Sequence, residues 1–293
     1  HTRFKCDWSS DVCSSDLREG NLFDPFDGKS DLNKGNIRFI GDANKRIIED
    51  YLRILRYIRF FLNYSKEKHN PEIIKFLKMN LDGVSKLSKE RLIDELRKIL
   101  DLKILKRLTN DKISLEFLRI IFPQLKNFKV FSRLNSFSLS ILERADFIFL
   151  ISLLIIDKTD DTDFFLYKFN ISKKHQKRLK IIHEFFKEKL TTKTFTENNL
   201  NRIFYFKGKQ AVIDILNYKL LISNKPDDKL LELSKTFQTK EIPAMPIKAD
   251  YLMTKYKISQ GKNLGDKLKK IEEEWVKNNF QISESQVENI LFN

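Results

Sequence analysis

The sequence predicts a mainly α-helical protein. Apolar residues recur at helical spacing from Asp42 to the end of the chain, helix-capping residues stand in front of these runs, and only Asn36–Ile40 reads as a strand. Asp42 is the candidate N-cap of a helix running to about residue 64. Pro71 suits the first turn of the next, where a missing N–H costs nothing. Ser88 caps a third, whose apolar stripe is Leu92, Leu96, Ile99 and Leu100. Further helices are expected at about 113–122, 133–156, 161–169, 172–190, 197–205, 208–222, 227–237, 248–256, 263–279 and 284–291. The two prolines of 243–246 make that segment a turn or linker.

The 293 residues are enough for one or two domains with a large core, and they carry a formal charge of +15. Such an excess favours a polyanionic partner. An AT-rich coding bias would also supply the lysines, so charge alone does not choose. No apolar run reaches the ~18 residues of a membrane span, and 147–156 is short enough for a buried core helix. No apolar leader segment is present either. His69, His175 and His183 form no metal-ligand pattern.

Asp7–Leu17, rich in Ser and Asp, resembles a sequencing-library adapter read in a protein frame, so residues 1–17 are expected to be an artefact. Both cysteines, Cys6 and Cys13, lie there. The remainder then has no disulfide framework and fits a reducing cytoplasm. On this reading the chain is a fragment that lacks an N-terminal portion.

The helix after Asp42 carries an acid pair, Glu49 and Asp50, just ahead of Arg53. At roughly 100° per residue, Arg46, Glu49, Asp50, Arg53 and Arg56 share one face. Acid and Arg three or four apart are ordinarily a solvated surface pair. The same equipment, an acceptor beside a planar donor fork, would read the edge of a nucleotide base.

The neighbouring segments favour the second reading. Upstream stand Asp24-Pro-Phe-Asp-Gly-Lys-Ser-Asp-Leu32 and Ile37-Arg-Phe-Ile-Gly-Asp42; downstream stands Leu87-Ser-Lys-Glu-Arg-Leu-Ile-Asp-Glu-Leu96. In this order they resemble the class II tRNA nucleotidyltransferases, that is, the CCA-adding enzymes and their bacterial poly(A) polymerase relatives. The match is close over about residues 22–100, with Asp27 standing where the family often has a second Gly.

The resemblance implies a mainly α fold: helical neck, body and tail of a nucleotidyltransferase, with only the stub of the α/β head. It divides the chain into 18–41 (end of the head), 42–105 (neck), 106–240 (body) and 241–293 (tRNA-binding tail). It implies addition of C, C and A to the tRNA 3′ end from CTP and ATP, with magnesium in the full-length enzyme. No metal ligand and no catalytic carboxylate is assigned here, because the family's G-S-x-x-D-x-D and R-R-D motifs are not found. This chain is expected to be inactive alone.

By the same resemblance, Asp50 and Arg53 hydrogen-bond the incoming base, Glu49 orients the Arg fork and Arg56 supports the site. Glu90 and Arg91 buttress the neck. Lys173, Lys174, Lys177, Arg178 and Lys180 form the densest basic run and are candidate tRNA phosphate contacts. A solvated helix face is the competing reading. Gly261 and Gly265 open the last long helix, where backbone amides meet a phosphate or simply cap the helix. The acidic 157–163 segment is expected to be a solvated loop. Two further functions remain open: a poly(A) polymerase using ATP alone, and a non-catalytic helical tRNA-binding module.

Overall fold

The computed structural model describes residues 14–15, 22–132, 134–157, 159–187, 194–223 and 227–292. Cys6 and Cys13 lie outside the described residues. Ser14–Ser15 pairs antiparallel with Leu22–Phe23, and the rest of the described chain is helix and irregular backbone. The chain divides into two compact units, one of residues 1–133 with 167–170, the other of residues 134–166 with 171–293.

The first unit contains α1 (Gly28–Lys34), α2 (Ala43–Glu49), α3 (Arg53–Tyr64), α4 (Pro71–Met79), a 3-10 turn (Leu81–Lys86), α5 (Lys89–Ile99), α6 (Leu102–Leu108), α7 (Lys112–Ile121) and a second 3-10 turn, Phe128–Ser132. α3 is the central rod. It buries Ile54, Leu55, Ile58, Phe61 and Leu62 on one side, and packs on α5 and α6. Each such side chain contributes about 1.5–3 kcal/mol on burial. The expected caps form: Asp42 accepts from Lys45 N at 2.7 Å, Asn70 precedes Pro71 and accepts from Glu72 N, and Ser88 accepts from Arg91 N.

The second unit contains α8 (Ser136–Leu142), α9 (Phe147–Ile155), most of α10 (Asp161–Lys168), α11 (Lys173–Lys187), α12 (Glu197–Lys207), α13 (Lys209–Ile222), α14 (Asp228–Thr239), α15 (Ala249–Tyr256), α16 (Lys262–Lys277) and α17 (Glu284–Phe292). α9 is buried on every side, as its unbroken apolar run requires. The last three helices share a small core of Leu252, Leu264, Ile271, Val287 and Leu291. The stretch 243–246 is non-helical. No described helix is long and apolar enough to cross a membrane.

Four details differ from the sequence reading. The helix expected from 42 to 64 is two helices, with Asp50 extended between them at φ −152° and ψ 102°. The helix expected over 133–156 is also two, because Asp146 leaves the helical region and caps α9 by accepting from Phe149 N at 3.0 Å. Asn36–Ile40 has no strand partner among the described residues. α1 and α6 form where no helix is expected. The Asp24 carboxylate accepts from Gly28 N and Lys29 N at 2.7 Å each, supplying partners for amides that otherwise lack them. Those two amides, with the Phe26 amide, hold Asp24 below the usual carboxylate range. Asp101 caps α6, which buries Ile104, Leu105 and Leu108.

A candidate nucleotide-reading site at a helix break

The break between α2 and α3 is built by Asp50. Asp is a poor helix-interior residue because its short carboxylate competes for nearby amides. Here Oδ1 accepts from Leu52 N at 3.1 Å, closing an Asx turn that leads into α3. Oδ2 accepts from Arg91 Nη2 at 2.8 Å, so α5 fixes the carboxylate from the far side. Tyr51 anchors the turn by lying on Gly83: a Cβ there would sit 2.2 Å from the Tyr51 ring.

Arg53 opens α3 and reaches back across the break. Its Nη1 donates to Glu49 Oε2 at 2.7 Å and to the Arg46 carbonyl at 2.5 Å. Arg46 Nη1 donates to the same Glu49 oxygen at 2.7 Å. Glu49 is therefore clasped by two guanidiniums. The Arg53 hydrogen bond, with the charges of Arg46 and Arg53, holds it below the usual range against the opposing effect of burial. Asp50 does not take part in this clasp; the acid paired with Arg53 is Glu49.

Arg46, Arg53 and Arg56 line a cleft walled by Phe39, Tyr57 and Phe60. Phe39 stacks on Tyr57 with centroids 5.9 Å apart. Behind the cleft, Tyr57 Oη lies 3.2 Å from His69 Nδ1, and His69 Nε2 lies 3.0 Å from Asp111 Oδ2. Burial pushes the Tyr57 phenol up, and the Asp111 charge adds to it. Burial also raises Asp111, but His69 and the Ser114 and Ile113 amides outweigh it and hold the carboxyl low. Below, Arg59 donates to the buried Glu95, tying α3 to α5 and so to Arg91.

Sequence reasoning missed Gly83, the aromatic walls and the Arg59–Glu95 strut. The Asp82-Gly83 dipeptide, a turn signal between Asn80 and Ser85, was the available sign of Gly83. It assigned Arg91 only a general buttressing role, whereas Arg91 contacts Asp50 directly.

The remaining candidates separate. Lys173, Lys174 and Lys177 are exposed on α11. Lys180 pairs with Asp163 at 3.1 Å. Arg178 is occupied internally: Nε and Nη2 donate to Asp214 at 2.6 and 2.9 Å, and Nη1 donates to Asp146. Its fork is satisfied by carboxylates, one of them buried, so it is not open to a phosphate. Gly261 stands at the start of α16 with open space around it, but the Gly265 amide donates to Gly261 O at 3.2 Å and is consumed by the helix. In the acidic segment Asp157 accepts from Thr159, while Asp160 and Asp163 pair with Lys187 and Lys180. Among the described residues no group of three or more His, Cys, Asp or Glu could hold a metal ion.

No protein-family model matches the chain. A 107-residue stretch is 40% identical to the zebrafish (Danio rerio) mitochondrial CCA tRNA nucleotidyltransferase 1, covering 33% of this chain and 25% of that protein. The human counterpart is 41% identical over the same length and shares of the two chains. The CCA-adding enzyme of Lactobacillus gasseri is 41% identical over 83 residues, 28% of this chain and 20% of the relative. The matched stretch is thus a quarter or less of each relative's length. The fold is similar to the Bacillus stearothermophilus CCA-adding enzyme solved in complex with CTP, at TM-score 0.60 and 16% identity, over 91% of this chain and 67% of that one. It is also similar to the Thermotoga maritima CCA-adding enzyme complexed with tRNA, at TM-score 0.56 and 19% identity, over 93% and 67%. The chain is therefore a relative of the CCA-adding tRNA nucleotidyltransferases, in sequence over that stretch and in fold over most of its length.

Proposed function

We propose that this chain is part of a CCA-adding tRNA nucleotidyltransferase, which extends the tRNA 3′ end by C, C and A from CTP and ATP. The observation that carries the reading is the break at Asp50, where an oriented carboxylate and an oriented guanidinium stand in a chain related to CCA-adding enzymes. Asp50 accepts one proton donor on each oxygen, leaving lone pairs for an exocyclic amino group. Among the described residues Arg53 spends only Nη1, leaving Nε and Nη2 to face ring acceptors. Cytosine and adenine both carry an amino donor beside a ring-nitrogen acceptor. Guanine and uracil reverse that order, and would leave both protein groups unpaired at about 1–3 kcal/mol each. Glu49 and Arg46 set the fork, and Arg56 supports the cleft floor.

Lys173, Lys174 and Lys177 are assigned to tRNA phosphates, and the amides near Gly261 to the tail's tRNA contact. Magnesium supplies the charge stabilisation of nucleotidyl transfer in such enzymes. No described residue is given a part in holding it, and the phosphoryl chemistry is not assigned to these residues. The cytoplasm is the proposed location, with the mitochondrion of the vertebrate relatives as the competing compartment that cell fractionation would reveal.

The test is incorporation by the complete gene product on tRNA lacking its 3′ end. CTP-dependent addition followed by A is expected, and incorporation of ATP alone would select polyadenylation instead. Arg53→Ala should lower the preference for CTP and ATP over GTP and UTP by about tenfold or more, the worth of one lost base-edge contact, while tRNA affinity stays near the parent's. Unchanged nucleotide preference would overturn the assignment.

A further inference from the structure

A crevice in the second unit, between α8, α13 and α14, is built unlike a helix seam. Helices that pack together ordinarily meet along apolar stripes three and four residues apart. Here α13 presents Gln210, Asp214 and Asn217, and α14 presents Ser234, Lys235 and Gln238. α8 adds Phe137 and Ser140, and Arg144 follows just after its C-cap. α13 already buries Val212, Ile215 and Leu216, so this polar face is additional to its core face. The stripes enclose about 400 Å³, within the ~300–1,000 Å³ range of small-molecule sites.

The chemistry of the lining is mixed in a specific way. Asp214 is 1% exposed and is satisfied by Arg178 and Gln210, while Asp146 pairs with the same Arg178; the floor thus holds two carboxylates to one guanidinium and suits a neutral base, leaving an anionic group to the rim. Asn217 accepts the Ser234 hydroxyl on Oδ1 at 3.4 Å, and its Nδ2 donates to no described residue. Gln238 donates to Ser234 at 3.4 Å and keeps its carbonyl oxygen. A donor and an acceptor thus remain on two carboxamides that share Ser234. Phe137 and the buried Phe149 make part of the lining apolar. At the rim, exposed Arg144 and Lys235 form no ion pair among the described residues.

We propose that this crevice binds a single nucleotide, free or within an RNA strand, with its base on the Asn217 and Gln238 carboxamides and its phosphate at Arg144 and Lys235. A base needs apolar lining with a donor and an acceptor for its edge, and the phosphate needs the two open cations at the rim. This site stands apart from the α2–α3 break and does not depend on that reading.

The test titrates AMP, adenosine, inorganic phosphate and a five-nucleotide single-stranded RNA into the full chain by calorimetry. AMP should bind at least about tenfold more tightly than phosphate, the equivalent of one or two added hydrogen bonds. Asn217→Leu should weaken AMP about tenfold, and Lys235→Glu, on the exposed rim, should weaken AMP but not adenosine. Arg53→Ala should leave AMP binding here unchanged. RNA binding more tightly than AMP identifies a strand as the ligand, and equal affinity identifies a free nucleotide. Equal binding of AMP and phosphate, insensitivity to Lys235→Glu, or loss of AMP binding with Arg53→Ala would overturn the site.

Discussion

Arg59→Met should loosen the α3 face that carries Arg53 and Arg56 without changing a side chain that lines the cleft. Arg59 and Glu95 are 11% and 2% exposed, so the pair is dry. Removing one partner of such a pair costs about 3–5 kcal/mol, because a carboxylate remains buried without compensation. Arg59 also stands 4.1 Å over the Phe60 ring, a contact worth about 0.5–1 kcal/mol. Lys98 lies 3.8 Å from the other Glu95 oxygen and is half-exposed, which offsets at most about 1 kcal/mol. The net loss is about 3 kcal/mol, a large share of the ~5–15 kcal/mol that holds a domain together. Arg59 Nη2 is already buried without a hydrogen bond, so the pair is imperfect. Arg59→Met with Glu95→Leu should therefore recover to within about 1 kcal/mol of the parent. Hydrogen exchange of the α3 amides is the assay, since it reports this unit alone. The single variant should exchange about 100-fold faster, and the double variant near the parental rate. An increase below about tenfold in the single variant, or a double variant as loose as the single, would refute the reasoning.

Two other perturbations are informative. Gly83→Ala places a methyl inside the Tyr51 ring, so the turn at Asp50 must move; a loss of about 1–3 kcal/mol is expected, read as a lower melting temperature, and a melting temperature equal to the parent's would contradict the packing. Lys173, Lys174 and Lys177 changed together to Ala should reduce the salt dependence of tRNA binding with little effect on stability, each phosphate contact carrying a slope of about 0.7–0.9 in log–log terms. Arg178→Ala should instead destabilise the fold, which thermal melts of the two variants would separate.

Helix existence was legible almost throughout because period and caps agree. Asp42, Pro71 and Ser88 all sit where their chemistry put them. Breaks were less legible. Asp50 and Asp146 lie inside uninterrupted apolar periodicity, and what splits each helix is a carboxylate choosing a local amide. That choice is decided by tertiary partners, Arg91 for Asp50 and Arg178 for Asp146. The same limit explains the basic run on α11. Sequence shows five cations in a row of turns, but only packing reveals that Arg178 faces inward to Asp214. Asp27 is a case where the deviation carries its own account. Its backbone is left-handed, at φ 58°, the conformation that Gly adopts freely and Asp tolerates better than most.

The break at Asp50 also has a mechanical meaning. A continuous rod from Ala43 to Tyr64 would transmit every tilt of one end to the other. Divided, α2 rides on α4 while α3 rides on α5 and α6. The Glu49 clasp, with Arg53 on one side and Arg46 on the other, is then the spring across the joint. Weakening it would change the stiffness between the two levers while leaving helix content unaltered. Circular dichroism would be blind to the change, and on the proposed function the joint's compliance would surface only in how sharply the site tells one base from another.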